Sequence, residues 1–237
     1  MRIAIMQPYI LPYIGYFQLL HYADRFVIYD DIQYTKKGWI NRNRFLRNGT
    51  AVTFTVPVQK ASDYLDVKCR HVAKAYNPQK LLAQIKGAYG KAPCFDQAFP
   101  VIEDVLTYES ENLFDFLHHG LVRTCAYLDI QTPILVSSSI EPDTGLKGQD
   151  RVLSLCETLG AREYINPIGG RDLYQASAFR ERGITLGFLQ RADVRYAQFG
   201  SEFLPDLSVL DIMMFNTPSD ARHLIETGYE LVPPHND

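Results

Sequence analysis

The chain has only four cysteines, and they are too far apart in sequence to form a metal-binding pair. Cys69, Cys94, Cys125 and Cys156 follow one another at intervals of 25 to 31 residues, so there is no CxxC or CxxxxC spacing typical of a zinc site. We therefore expect reduced thiols that pack as small apolar groups. The sequence predicts no metal site, and it identifies no cofactor.

Long hydrophobic runs are also missing. No stretch of 18 apolar residues occurs, which argues against a membrane span. The apolar start, MRIAIM, ends at Gln7-Pro8 and is too short for a signal peptide. Cysteines stay reduced in the cytoplasm, and a protein without an export signal remains there. We therefore predict a cytoplasmic protein.

The chain carries no excess of positive charge. It has 24 lysines and arginines against 27 acidic residues, a net charge of −3. No global attraction to nucleic acid or to an anionic membrane is expected, so we predict no nucleic-acid partner. An anionic ligand would have to be held by a local group of basic residues.

The first 29 residues read as a strand, a loop, a helix and a strand. Residues 2–6 (RIAIM) and 25–29 (RFVIY) are short apolar runs typical of buried strands. Between them two prolines break the ladder, and residues 15–23 show helical spacing. Such a unit is the opening half of a doubly wound sheet. The predicted fold class is α/β, with a mostly parallel, Rossmann-like sheet.

The rest of the chain adds a helical insertion before this alternation resumes. We predict a loop over 32–48 with one possible strand, a strand at 51–58 with 67–71 as its partner, and a mostly helical subdomain at about 75–130. Strands are then expected at 134–137, 163–165 and 184–188, with helices at 148–159, 173–181 and 207–215. No repeat or linker interrupts the chain, so residues 1–237 are predicted to form one domain.

Four polar segments follow predicted strands, at 7–15, 30–44, 137–139 and 166–170. Ligands of doubly wound sheets bind beyond the carboxyl ends of the strands. Because these ends meet at one edge of the sheet, the four segments are expected to converge on one ligand site.

The first segment leads into the predicted start of a helix. Free backbone N–H groups there suit an anion, and Gly15 would let a ligand approach closely. Gln7, Pro12 and Gly15 are therefore predicted to bind substrate. The alternative is a rigid proline turn that only shapes the chain.

Two carboxylates, Asp30 and Asp31, open the second segment. At the end of a buried strand a carboxylate can act as a general base or bind a hydroxyl or an amine. The alternative is a turn or helix cap. His71 is a third candidate base if strand pairing brings it over the site, and otherwise it is an ordinary histidine.

A local basic and aromatic stretch, KKGWINRNR, completes this segment. Two guanidiniums two residues apart share a face of an extended chain and fit a diphosphate, while the only tryptophan could stack on a base or sugar. The alternative is a solvated basic loop. The predicted binding residues here are Lys37, Trp39, Asn41, Arg42, Asn43 and Arg44.

The last two segments carry weaker signals. Ser138 lies in a run of three serines without the GxSxG spacing of a hydrolase nucleophile, and the alternative is a capping role. NPIGG is typical of a turn that closely contacts a ligand but is not a GxGxxG fingerprint. Asn166, Gly169, Gly170 and the nearby Tyr174 are predicted to bind substrate.

Long motifs in this chain resemble the WbqC-like protein family. They are QPYILPYIGYFQLL, ADRFVIYDDIQYTKKGWINRNRF, the strand ending in VPV, AYGKAPCF, the serines near 138, LGAREYINPIGGRDLY and LSVLDIMMFN. The resemblance covers nearly the whole chain. It implies a role in surface-polysaccharide (O-antigen) biosynthesis, as a transferase that attaches glycine or another acyl group to an amino sugar carried on a nucleotide.

The expected partner is thus a nucleotide-sugar or another phosphorylated small molecule. Under this resemblance Arg42 and Arg44 would hold the diphosphate, Trp39 would stack, and Asp30, Asp31 or His71 would accept the proton of the sugar amine. The alternative is a non-catalytic nucleotide-sugar-binding or assembly protein.

The opening strand, glycine turn and helix are also similar to the HIGH-motif nucleotidyltransferases, which makes a nucleotidyltransferase-like sheet the expected fold. Members of that class place two histidines in the first turn, where this chain has the sequence PYIG at 12–15.

Overall fold

A mostly parallel six-stranded sheet forms the centre of the computed structural model, which describes residues 1–140, 145–200 and 202–235. The strands are β1 (Arg2–Met6), β2 (Arg25–Ile28), β3 (Arg42–Arg47), β4 (Thr50–Thr55), β5 (Ile134–Val136), β6 (Glu163–Pro167), β7 (Thr185–Arg191) and β8 (Tyr229–Val232). The helices are α1 (Ile14–Tyr22), α2 (Pro78–Tyr89), α3 (Phe95–Thr107), α4 (Leu113–Tyr127), α5 (Ser137–Ile140), α6 (Gly148–Thr158), α7 (Ala176–Arg180), α8 (Val209–Phe215) and α9 (Pro218–Thr227). The predicted α/β architecture with a mostly parallel sheet is confirmed.

The order of the strands creates a reversal next to β1. The central sheet runs β5-β2-β1-β6-β7-β8, and only β8 is antiparallel to its neighbour. From β1 the chain moves outward through β2 to β5, then crosses back to β6 on the other side of β1. The connection after β1 therefore runs toward one edge of the sheet and the connection after β6 toward the other. This divergence opens a crevice between the carboxyl ends of β1 and β6.

Alternating strand residues bury both faces of the sheet. Ala4 and Phe26 belong to one apolar cluster with buried residues of α1, α4 and α8. Ile3, Val27 and Tyr164 belong to a second cluster with buried residues of α6 and α7. This period of two is the pleat of a strand covered on both sides. Because the sheet is buried on both faces, a ligand reaches it at the strand ends.

The pairing predicted for residues 51–58 is wrong for residues 51–55, and only Val58, after the end of β4, bridges Val72 next to the predicted partner at 67–71. β4 pairs with β3 in an antiparallel hairpin, and Val67–Cys69 is a single 3₁₀ turn. The cause is the two-residue turn Asn48-Gly49, in which both residues have positive φ, 52° and 73°. Asn-Gly supplies that geometry at little steric cost and closes a tight hairpin, so β3 becomes the partner.

Three smaller predictions also differ from the structure. The strand expected at 134–137 ends at Val136, and Ser137 begins α5. The helix expected at 173–181 is shortened to α7, because residues 168–173 form a 3₁₀ turn. After α8 the chain adds α9 and β8, where no element had been expected; Thr217 caps α9 by accepting from the N–H of Asp220, and Pro218 occupies its first turn.

Helices α2, α3 and α4 follow each other where the helical subdomain is predicted. Their buried residues, such as Ile85, Ile102 and Leu117, belong to the same apolar cluster as Leu19 of α1. Asn77 caps α2 and Asn112 caps α4 with their side-chain oxygens. In the ranges described, no helix is long and apolar enough to cross a bilayer.

Candidate functional site

A cleft of about 1190 Å³ lies at the carboxyl ends of the parallel strands. Its walls come from the loop after β1, the segment after β2, the start of β3, the first turn of α6 and the residues after β6. This is the crevice that the strand reversal creates. Ten of the seventeen residues predicted for the site line it: Gln7, Pro12, Asp31, Trp39, Asn43, Arg44, Asn166, Gly169, Gly170 and Tyr174.

The other seven predicted residues do not line the cleft. They are Gly15, Asp30, Lys37, Asn41, Arg42, His71 and Ser138. His71 is exposed and joins the chain near Asn112 through a backbone bridge. Asn41 is buried, accepting from the Tyr34 hydroxyl at 2.8 Å and donating to the Val56 carbonyl at 2.7 Å.

Gly15 lies beneath an aromatic ring. A Cβ at this position would come within 2.5 Å of the Tyr13 ring, so the glycine lets Tyr13 cover the first turn of α1. That turn is itself buried. The group that approaches Gly15 closely is therefore the Tyr13 side chain, where a ligand had been predicted.

Asp30 is held at the end of β2 by the two serines that follow β5. It is 4% exposed. Its Oδ1 accepts from the Ser137 hydroxyl at 2.8 Å and the Ser138 N–H at 3.0 Å, and its Oδ2 accepts from the Ser138 hydroxyl at 2.5 Å. These bonds tie β2 to the start of α5 and occupy both carboxylate oxygens.

Asp31 faces the cleft and forms a buried ion pair with Arg151 of α6. Arg151 Nη2 donates to Asp31 Oδ2 at 3.0 Å, and the side chains are only 6% and 10% exposed. The Ser137 hydroxyl also contacts Asp31 Oδ1. Ser137 has a single proton, so it donates to one of the two neighbouring carboxylates at a time. Asp30, Asp31 and Arg151 therefore form one connected polar group.

Trp39 stacks with two arginines of the same stretch. The guanidinium carbons of Arg42 and Arg44 each lie 5.4 Å from the centre of its ring. Arg42 donates to the carbonyls of Gly38 and Lys37 and so turns back on its own loop. Arg44 lines the cleft, and its Nη2 donates to the Asp206 carbonyl at 3.0 Å.

The sequence interpretation missed several residues of the cleft. Lys68 and Lys147 add positive charge, and Tyr29, Tyr64 and Arg151 line other walls. The glycine-lysine sequence GLKG at 145–148, just before α6, is a signal that could have been used. Tyr9 also lines the cleft, and burial raises its pKa to about 12, so its hydroxyl keeps its proton at neutral pH.

A row of hydrogen-bonded polar groups runs from β6 to the wall of the cleft at Tyr174. The Tyr164 hydroxyl lies 3.1 Å from Asn166 Oδ1 and 3.0 Å from the Tyr174 hydroxyl. Gly170 packs directly on Asn166, because a Cβ there would come within 2.1 Å of the Asn166 amide nitrogen. The second glycine of NPIGG is thus required for the position of Asn166.

The sequence profile of the WbqC-like protein family matches residues 7–223. An uncharacterized protein of Mycobacterium tuberculosis is 30% identical over 229 residues, which cover 93% of this chain and 95% of that protein. No solved structure matches the chain. From the match over residues 7–223, this chain belongs to the WbqC-like protein family.

Proposed function

We propose that the chain is a transferase of surface-polysaccharide biosynthesis that attaches glycine or another acyl group to an amino sugar carried on a nucleotide. One observation carries this proposal: a single cleft at the strand reversal combines cationic side chains with exposed aromatic rings. Cationic side chains bind phosphates, and aromatic rings stack on a base or a sugar ring. The family resemblance supports the same substrate class.

The cationic side chains of the cleft are well placed for a phosphorylated ligand. Arg151 is paired with Asp31, and the cleft-lining carboxylate of Asp206 is paired with Arg191 outside the cleft. Arg44, Lys68 and Lys147 supply further positive charge. In the described ranges, Arg44 Nε is buried without a hydrogen-bond partner. A diphosphate would supply acceptors for the cleft-lining side chains of Arg44, Lys68 and Lys147.

The aromatic side chains offer flat surfaces at the mouth of the same cleft. Trp39 is 42% exposed and Tyr64 is 86% exposed. Both residues line the cleft, so their exposed ring faces are open to a ligand there. They provide stacking surfaces for a nucleobase or for the apolar face of a sugar.

The strand order supports the nucleotide part of the proposal. In dinucleotide-binding sheets the ligand crosses the reversal between the first and fourth strands, and an acidic residue after the second strand accepts from ribose hydroxyls. Here β1 and β6 flank the reversal and Asp31 follows β2. The correspondence makes Asp31 a candidate acceptor for the ligand's hydroxyl or amino groups.

In the proposed reaction the sugar amine attacks the carbonyl carbon of an activated acyl donor such as a thioester. A C–N bond forms, the donor's leaving group departs with its electron pair, and the amine proton passes to a base. Of the three predicted bases only Asp31 lines the cleft. We therefore assign the proton to Asp31, with Arg151 holding the carboxylate in position.

Replacing Arg44 with methionine tests the phosphate part of this proposal. We expect affinity for a UDP-, GDP- or dTDP-sugar, measured by calorimetry, to fall about tenfold, because one charge-assisted contact to the diphosphate is lost. Arg42→Met is the matched control: this arginine also stacks on Trp39 but does not line the cleft. Absence of binding of every nucleotide-sugar to the wild type, or equal losses in both variants, would contradict the proposal.

A non-catalytic nucleotide-sugar-binding protein is the second candidate. It is favoured by the full occupation of Asp30 and the ion pair at Asp31, which leave neither carboxylate without a partner. Complementation of a deletion strain separates the two functions. A folded Asp31→Asn protein that restores polysaccharide assembly favours the binding protein. One that binds the nucleotide-sugar as tightly as the wild type in calorimetry but fails to restore assembly favours the transferase.

A further inference from the structure

Tyr164, Asn166 and Tyr174 form a short hydrogen-bonded row with one end in the cleft. Tyr164 is completely buried, Asn166 is 6% exposed, and Asn166 and Tyr174 both line the cleft. The ring of Tyr164 is fixed between Phe179, stacked at 5.4 Å, and Tyr174, edge-on at 5.4 Å. The row is therefore rigid, and its proton arrangement can be worked out atom by atom.

The orientation of the Asn166 amide determines which group donates the hydrogen bond between Asn166 and Tyr164. Its nitrogen Nδ2 donates to the Pro167 carbonyl at 3.2 Å, so Oδ1 is directed toward Tyr164. The opposite orientation would place two acceptor oxygens against each other. An amide oxygen only accepts, so the proton between Asn166 and Tyr164 belongs to the Tyr164 hydroxyl.

The donor between Tyr164 and Tyr174 follows from the single proton on each hydroxyl. Because Tyr164 gives its proton to Asn166, the contact between the two tyrosines must use the proton of Tyr174. Burial raises the pKa of both tyrosines, so both protons are present at neutral pH. The oxygen of Tyr174 is then left with lone pairs only on its remaining side.

We propose that Tyr174 determines ligand specificity by accepting a hydrogen bond from a donor group of the ligand, either a sugar hydroxyl or a sugar ammonium. The acceptor character is fixed in the free protein by Tyr164 and Asn166. Asp31 lines the same cleft as Tyr174, so the cleft presents two acceptors to a ligand. This inference rests on the proposed function and assigns the sugar end of the cleft.

The direction of the protons can be tested without any ligand. Neutron diffraction from crystals of the deuterated protein is expected to show the Tyr164 deuteron directed at Asn166 Oδ1 and the Tyr174 deuteron directed at Tyr164. A Tyr174 deuteron that points into the cleft would overturn the inference, because Tyr174 would then act as a donor.

The ligand assignment is tested with free monosaccharides. D-glucosamine presents an ammonium and D-glucose only hydroxyls; each is titrated into protein labelled with ¹³C at the tyrosine ζ-carbon. We expect the Tyr174 resonance to shift and saturate, and the sugar that binds more tightly identifies the donor group. The exposed Tyr108, which is outside the cleft, should not respond. A Tyr174 signal unchanged by both sugars would overturn the assignment.

Two variants separate recognition from folding. Tyr174→Phe is expected to weaken sugar binding about fivefold, as for loss of one hydrogen bond, while Tyr108→Phe is expected to leave it unchanged. A Tyr174→Phe protein that binds as tightly as the wild type would contradict the inference. The free sugars carry no nucleotide, so their binding without any nucleotide-sugar binding would remove the proposed function and leave this inference standing.

Discussion

Replacing Arg151 with methionine is expected to lower the free energy of unfolding by about 3–5 kcal/mol. The change leaves the carboxylate of Asp31 without its cation in a place where the side chain is 10% exposed. Methionine keeps most of the volume of the arginine, so the effect comes from the uncompensated charge. Denaturant titration of both proteins, followed by circular dichroism, measures the difference.

Two further variants show whether this effect belongs to the buried ion pair. Adding Asp31→Asn to Arg151→Met removes the stranded charge and is expected to restore about 2 kcal/mol. Arg123→Met breaks an ion pair with Asp104 whose side chains are 48% and 42% exposed, and it should cost at most about 1 kcal/mol. An Arg151→Met protein as stable as Arg123→Met would show that the Asp31–Arg151 pair does not hold α6 to the end of β2.

The parallel centre of the sheet was predictable because its first strands are short and mostly apolar. The runs 2–6 and 25–29 read as buried strands, and β1 and β2 occupy them. The region after α8 was not predictable in the same way. β8 is an edge strand in which no residue is fully buried. Helix α9 is mostly polar, so its signal is the cap Thr217-Pro218 rather than a long apolar stripe.

The candidate site could be predicted where polar residues directly follow a strand. Asp31, Asn166 and Gly170 line the cleft because the carboxyl ends of parallel strands share one edge. Lys147 directly precedes α6, and Arg151 lies in its first turn. Their position in the cleft depends on how that helix crosses the sheet, which the sequence does not give. The roles of the site residues stay predictions.

The internal spacing of the basic stretch could not tell which arginine faces a ligand. Arg42 and Arg44 share a face of β3, as expected from residues two apart in a strand. Only the packing of the loop shows that Arg42 bonds to the carbonyl of Gly38 while Arg44 reaches the cleft. The two arginines differ because the backbone carbonyls that bind Arg42 are positioned by the fold of the loop, which the sequence pattern does not show.

Asp211 is a buried carboxylate on α8 surrounded by neutral donors. It is completely buried, and it accepts from the hydroxyls of Tyr89 at 2.6 Å and Tyr196 at 2.7 Å and from the Gln198 amide at 2.7 Å. The Tyr89 hydroxyl in turn accepts from the N–H of Leu46 in β3. In the described ranges no cation is paired with Asp211. This group joins α2, α8 and the hairpin that carries Arg44.

Removing this carboxylate is expected to have the second large effect on stability. Asp211→Ala leaves the Tyr89 and Tyr196 hydroxyls and the Gln198 amide without their acceptor, and we expect a loss of about 3 kcal/mol in the free energy of unfolding at neutral pH. Asp172→Asn, at an exposed aspartate, should have no measurable effect. An Asp211→Ala protein as stable as the wild type would mean that water replaces the missing acceptor.

The pH dependence of stability gives an independent test of the same group. Burial raises the pKa of Asp211 above its ordinary value of 3.8, so the folded protein holds this proton to higher pH than the unfolded chain does. The contribution is therefore fully present below about pH 4 and is lost as the pH rises through the folded-state pKa. Asp211→Asn cannot titrate, so the stability of the wild type relative to this variant should fall over that range. Unfolding free energies of both proteins, measured from acid to neutral pH, decide the question: parallel curves would show that Asp211 has the same pKa in the folded and unfolded states.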